Sequence, residues 1–138
     1  MKKIIFLALL AFSLSASAQI ATPRFGTTAG RDNTGRVLTY GYSAPAYAST
    51  ITVVPNAYET IYKVGTLTGN PSVVCTVTKA HVGDKVVFLF LTSGAARTVT
   101  FGTGMIASAT LVVDSAQNAS ATFVFNGTKF LEQSRAKE

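Results

Sequence analysis

Apolar and polar residues alternate with a period of two along much of the chain beyond residue 50. In the segment Ala119–Phe125, two Ala and two Phe share one face, while Ser, Thr and Val share the other. Alternating β-branched and aromatic residues fit the half-buried surface of a sheet. Pairs such as Asn126-Gly127, which favour tight turns, separate the alternating segments. The pattern therefore predicts short β-strands and an all-β fold.

About eight strands are predicted beyond residue 50, because short alternating runs recur between turn signals. These strands are Thr50–Val54, Tyr58–Leu67, Val73–Thr78, Lys85–Thr92, Arg97–Phe101, Ala109–Val113, Ala119–Phe125 and Thr128–Gln133. A further strand is predicted at Arg36–Tyr42. Short strands at regular spacing are typical of sandwiches and small barrels. We therefore expect an antiparallel β-sandwich or a jelly-roll-like fold.

Two of the predicted segments also indicate how their strands are placed in the fold. Asn126-Gly127 lies between two alternating runs, which predicts a β-hairpin over Ala119–Gln133. A two-residue type I′ turn there requires positive φ at both central residues. The run Val86–Leu91 is apolar on both faces. This run predicts a strand at the centre of the fold or beneath an additional layer.

The first residues carry the pattern of a secretory signal peptide. Lys2 and Lys3 precede the apolar run Ile4–Leu14, and the small residues Ser15–Ala18 follow it. The apolar run is shorter than the roughly 20 residues that a transmembrane helix needs. We expect cleavage between Ala18 and Gln19, no transmembrane span, and a secreted protein that is extracellular or on the cell surface.

The chain beyond the signal peptide divides into two zones of different composition. Residues 19–49 are rich in Gly, Ala, Ser, Thr and Tyr and contain too little apolar content for a core of their own. They are predicted to form an extended N-terminal arm, and residues 50–138 the β-sandwich domain. The aromatic residues of the arm are the candidate assembly contacts, namely Phe25, Tyr40, Tyr42 and Tyr47.

Charge and cysteine content exclude several classes of protein. The chain has 12 Lys and Arg against 6 Asp and Glu, and the basic residues are scattered. Nucleic-acid binding draws its affinity from several phosphates neutralised together, so we expect no nucleic-acid partner. Cys75 has no second cysteine with which to pair inside the chain. It is interpreted as a small buried hydrophobe beside Val73 and Val77, with an intermolecular disulfide as the alternative.

Groups able to carry catalysis are few. His81 is the single histidine and lies in a turn close to Asp84, without a Gly-x-Ser-x-Gly motif or another recognisable nucleophile. An exposed turn histidine is therefore the favoured interpretation. One His and one Cys cannot supply the usual three or four ligands of zinc. We expect no catalytic residues, no bound metal and no cofactor.

The strand and turn pattern between about residues 60 and 135 resembles a known group of proteins. The segments that carry it are Val82–Phe88, Ala96–Gly104, Thr110–Val113 and Ala121–Phe130. Together they resemble β-rich modules in structural proteins of tailed bacteriophages, such as tail-fibre, decoration and head-fibre proteins. The resemblance implies a structural role and transfers no functional residues to this chain.

These observations predict a secreted, non-enzymatic structural protein that self-assembles into a filament, an appendage or a virion-like component. Its partner is expected to be a further copy of the chain, with the arm adding a strand to a neighbouring sheet edge. The alternative is a secreted module that binds carbohydrate or another surface, with Tyr40 and Tyr42 as an aromatic platform for a surface glycan. A small hydrolase that uses His81 and the scattered acids is the third possibility.

Overall fold

The computed structural model describes residues 38–138, which form ten β-strands and no helix. The strands are β1 (Tyr40–Ser43), β2 (Thr50–Val53), β3 (Glu59–Lys63), β4 (Ser72–Cys75), β5 (Lys85–Leu91), β6 (Arg97–Phe101), β7 (Met105–Ile106), β8 (Leu111–Val113), β9 (Asn118–Phe125) and β10 (Phe130–Lys137). The large sheet has the order β1-β3-β5-β9-β10-β7, and the small sheet has the order β2-β4-β6-β8.

The first six strands form a parallel β-solenoid. The chain alternates between the two sheets, so that β1, β3 and β5 are parallel neighbours in the large sheet. β2, β4 and β6 are parallel neighbours in the small sheet in the same way. One passage through both sheets is one coil, and the molecule has about three coils. The prediction of an all-β fold is confirmed.

The predicted antiparallel β-sandwich or jelly roll is wrong. The alternation of side chains and the turn residues are the same for a strand with parallel or antiparallel neighbours, so neither reveals strand direction. The coils also differ in length. Tyr40 pairs with Glu59, 19 residues later, whereas Glu59 pairs with Lys85, 26 residues later. This unequal spacing leaves no fixed repeat in the sequence that would predict a solenoid.

Antiparallel strands end the solenoid at its C-terminal side. β9 pairs antiparallel with β5, and β10 pairs antiparallel with β9. In the small sheet β8 pairs antiparallel with β6. β5 therefore lies between β3 and β9 in the interior of the large sheet, as predicted for Val86–Leu91. Its second apolar face is not covered by a layer of the described chain, because Leu89 and Leu91 are each 38% exposed.

The predicted hairpin is confirmed, but its turn differs from the prediction. Phe125 pairs with Phe130, which leaves the loop Asn126–Lys129 between the two strands. Gly127 has a positive φ of 102°, whereas Asn126 does not. The side-chain oxygen of Asn126 instead accepts hydrogen bonds from the amides of Thr128 and Lys129, both at 2.9 Å. The side chain thus closes a longer loop than the type I′ turn would have.

The core lies between the two sheets and is centred on Phe88 of β5, which is fully buried. Its ring centroid lies 5.4 Å from that of Tyr62, 5.9 Å from that of Phe90 and 6.0 Å from that of Phe123. Phe101 of β6 reaches into the same cluster from the small sheet. Aromatic contacts at such distances add to the free energy of apolar burial.

Candidate functional site

The first coil presents two free sheet edges. Among residues 38–138, β1 pairs only with β3 and β2 pairs only with β4. The carbonyl oxygen of Thr39 accepts a hydrogen bond from the amide of Glu59 at 3.2 Å. Because successive residues of a strand direct their backbone groups to opposite sides, those of Tyr40 and Tyr42 face away from β3. These backbone groups form the free edge of the large sheet.

The small sheet repeats this arrangement at the same end of the solenoid. The carbonyl oxygens of Ser49 and Val53 accept hydrogen bonds from the amides of Ser72 and Thr76, at 2.8 and 2.9 Å. By the same alternation, the backbone groups of Thr50 and Thr52 face away from β4. We call the free edges of β1 and β2, with the cavity between them, the open end.

The cavity at the open end has a volume of about 290 Å³. It is lined by residues of β1, β2, β3 and their connections, and no charged residue is among them. The polar residues of the lining are Tyr42, Ser43, Thr52, Asn56, Thr60 and Tyr62. The lining therefore contains polar residues and no formal charge.

Thr60 is the most constrained polar group of the cavity. Its side chain is 4% exposed, and its Oγ1 has no hydrogen-bond partner among the described residues. Its neighbour in the large sheet is Gly41, where an added β-carbon would lie 3.2 Å from that Oγ1. A buried hydroxyl without a partner costs about 1–3 kcal/mol. The open end thus carries a hydrogen-bonding group that the described chain does not satisfy.

Tyr62 forms the inner wall of the cavity. Burial raises the pKa of its phenol to about 12, and the nearby Cys75 adds to the shift, while a backbone hydrogen bond from Val54 opposes it. The phenol therefore remains neutral, and it stacks on the ring of Phe88. The cavity wall is continuous with the aromatic core.

The structure separates the residues predicted as assembly contacts. Tyr40 and Tyr42 project from the outer face of β1 and are 64% and 66% exposed. Tyr47 instead packs against the core. Phe25 and the cleavage residues Ala18 and Gln19 lie outside the described residues. The predicted domain boundary at residue 50 falls between β1 and β2, so the end of the predicted arm supplies the first strand of the large sheet.

A second depression, the outer groove, crosses the outer face of the large sheet. It is an open groove of about 760 Å³. The residues that line it include Tyr42, Lys63, Leu89, Leu91, Asn118 and Glu138. Leu89 and Leu91 are partly exposed and form an apolar floor, which accounts for the second apolar face of Val86–Leu91. Sequence reasoning missed the groove because its residues come from separate strands.

His81 lies in an exposed turn, as predicted. Its side chain is 66% exposed, and its backbone amide donates to Oδ2 of the buried Asp84 at 2.8 Å. The amide of Asp84 in turn donates to the carbonyl oxygen of His81 at 2.9 Å. Neither residue lines the outer groove or the cavity at the open end. The pair closes the turn before β5.

A charged cluster that the sequence did not predict joins β10 to the connection before β8. Both carboxylate oxygens of Glu132 accept hydrogen bonds from the guanidinium of Arg135. Arg135 also donates to the carbonyl oxygens of Ala109 and Thr110, at 3.1 and 3.0 Å. The hydrogen bond from Arg135, supported by Ser108, lowers the pKa of Glu132 to about 2. The cluster holds residues 108–110, which precede β8, against β10.

Cys75 is buried at the end of β4, at 3% exposure. Burial raises the pKa of its thiol to about 12, so the reactive thiolate is disfavoured. The predicted buried position is confirmed, and it differs from the surface position that an intermolecular disulfide requires. Within residues 38–138, no group of three or more His, Cys, Asp or Glu residues is placed to hold a metal ion.

No protein-family model matches the chain, and no curated protein matches its sequence. Within the described range, the structure holds no helix with the length and apolar character needed to cross a membrane.

Proposed function

We propose that this protein is a secreted, non-enzymatic structural subunit that self-assembles through its open end. The observation that carries the proposal is that β1 and β2 each have a single strand neighbour among residues 38–138, which leaves one edge of each strand free. An unpaired edge offers a row of backbone donors and acceptors to another strand. Soluble proteins commonly blunt such edges by keeping the strands very short or by placing Lys, Pro or a bulge there. The two strands have four residues each. Their sequences, Tyr-Gly-Tyr-Ser and Thr-Ile-Thr-Val, contain neither Lys nor Pro, and their pairing is regular.

The predicted arm has a defined part in this proposal. β1 lies within residues 19–49, so the arm itself carries the strand that would pair with a neighbouring subunit. Backbone pairing then joins the subunits, in the manner of strand addition. Tyr40 and Tyr42 contribute through their backbone groups as well as their exposed rings.

Proline substitution tests the proposal without removing a strand. The amides of Tyr42 and Thr52 face the free edges, so Tyr42→Pro with Thr52→Pro removes an edge donor from each sheet and leaves the internal ladders intact. The matched control, Tyr42→Val with Thr52→Val, keeps both amides. Light scattering on the chain that begins at Gln19 should show multimers for the native and control proteins and monomers for the proline variant. A native protein that remains monomeric at high concentration would overturn the proposal.

The outer groove favours a carbohydrate-binding module as the second candidate. Tyr42 places an exposed aromatic ring at one end of the groove, and Asn118 and Glu138 place polar groups elsewhere in it. Aromatic rings with a few polar groups are suited to sugar rings. Calorimetry with polysaccharides should then show weaker binding for Tyr42→Ala. Tyr40→Ala is the matched control, because Tyr40 lies on the same strand but does not line the groove.

A further inference from the structure

We propose that the open end binds the open end of a second copy, so that two subunits meet head to head about a two-fold axis. This inference rests on the proposed self-assembly and names its first contact.

The chemistry of the open end is self-complementary. At a two-fold contact, the same groups approach each other from both subunits. A charged surface would repel its own copy there, but no charged residue lines the cavity at the open end. The polar lining includes Ser43, whose hydroxyl both donates and accepts a hydrogen bond. The end of one subunit can therefore hydrogen-bond to an identical end.

The strand directions fit the same symmetry. A two-fold axis normal to both sheets places β1 antiparallel to β1 of the second copy and places β2 antiparallel to its own counterpart. One rotation thus pairs both free edges at once. In each sheet the backbone groups that face outward meet their counterparts across the axis. They belong to Tyr40 and Tyr42 in the large sheet and to Thr50 and Thr52 in the small sheet.

The lengths of the edge strands favour this contact over head-to-tail stacking. At the other sides of the two sheets, the edges are β7 with 2 residues and β8 with 3 residues. β1 and β2 have 4 residues each and match copies of themselves in full. Pairing of equal edges satisfies more backbone groups than pairing with the shorter strands, and it closes after two subunits.

Disulfide trapping tests the geometry directly. In an antiparallel pair of β1 strands centred on Gly41, residue 40 of one copy lies opposite residue 42 of the other, at a Cα separation of about 5.5 Å. A disulfide fits that separation. Two variants of the chain beginning at Gln19, one Tyr40→Cys and one Tyr42→Cys, are therefore mixed and oxidised. We expect cross-linked dimers to form several-fold more in the mixture than in either variant alone, with the native Cys75 unreacted.

Three results would contradict the head-to-head contact, and they differ in whether the proposed self-assembly also fails. Multimers without this cross-link would overturn the head-to-head contact but leave the proposed self-assembly standing. A monomer whose Tyr40 and Tyr42 amides resist hydrogen exchange would mean that residues of the same chain cover the edge, and it would overturn both proposals. A monomer with rapidly exchanging edge amides would overturn both as well.

Discussion

A β-carbon on Gly104 would clash with the backbone carbonyl group of Cys75. Gly104 sits in the turn that follows β6, at a φ of 81°. In the same turn, the carbonyl oxygen of Thr103 accepts a hydrogen bond from the amide of Cys75 at 2.9 Å. The carbonyl oxygen of Gly104 accepts another from the amide of Phe130 at 3.0 Å. The turn thus ties β4 to β10 at a point where only glycine fits.

We expect Gly104→Ala to lower the free energy of unfolding by about 3 kcal/mol or more, because backbone strain and a backbone clash add together. Gly94→Ala is the matched control. Gly94 also has a positive φ, of 87°, but an added β-carbon there meets nothing within 4 Å. The control should lose only about 1 kcal/mol. Urea denaturation measures both values, and equal losses would show that the clash with Cys75 has relaxed.

Glu132 should make the stability of the fold depend on acid pH. Its pKa is lowered to about 2 from an ordinary value of 4.5, so its contribution is full above pH 4.5 and is lost as the pH falls towards 2. Glu132→Gln should therefore destabilise the protein by about 1 kcal/mol at pH 7, because the ion pair with Arg135 lies near the surface and is partly screened by solvent. Urea titrations at pH 7 and near pH 2 measure the difference. A loss that is the same at both pH values would show that the charge of Glu132 is not its source.

Thr60→Val should separate folding from assembly. Valine has nearly the shape of threonine but lacks the hydroxyl that has no partner among the described residues. We expect the isolated subunit to gain about 1 kcal/mol or to remain unchanged in its free energy of unfolding. We expect self-association to remain unchanged, since the buried Oγ1 lies out of reach of a second copy. Denaturation and light scattering over a dilution series measure the two effects, and a weakened association constant would place Thr60 in the interface.

Cys75 should resist thiol reagents in the folded protein. It is buried, and burial raises its pKa to about 12, so neither access nor thiolate formation favours reaction. An aromatic disulfide reagent at pH 8 should react with Cys75 only after denaturation, and the denatured protein serves as the control. Rapid reaction of the native protein would return the intermolecular disulfide to consideration.

Several features were predictable because they depend on neighbouring residues. The period-two alternation located most of the strands, and Arg97–Phe101 has the predicted bounds. The same alternation predicted the buried face of Ala119–Phe125, whose inward residues Ala121 and Phe123 are fully buried. The apolar character of both faces of Val86–Leu91 predicted an interior strand, and β5 occupies that place. The short β7 was missed because two residues show no period.

The candidate site was predicted only in part. Tyr40 and Tyr42 were singled out from the sequence, and the structure places both on an exposed edge strand. The cavity beside them depends on Thr60 and Gly41, which are far apart in sequence and meet only through the pairing of β1 with β3. The outer groove needs residues from separate strands in the same way.

The sequence by itself determined where the chain extends, where it turns and which side of each strand is apolar, because those properties arise from local sterics and side-chain periodicity. Only the tertiary structure decided that β1, β3 and β5 run parallel and that, within the described part of the chain, one edge of each sheet is left free at the same end. Strand partners are chosen by hydrogen bonding and packing between residues that are distant along the chain. No local pattern records that choice, so the solenoid and its open end emerge only when the whole chain is folded.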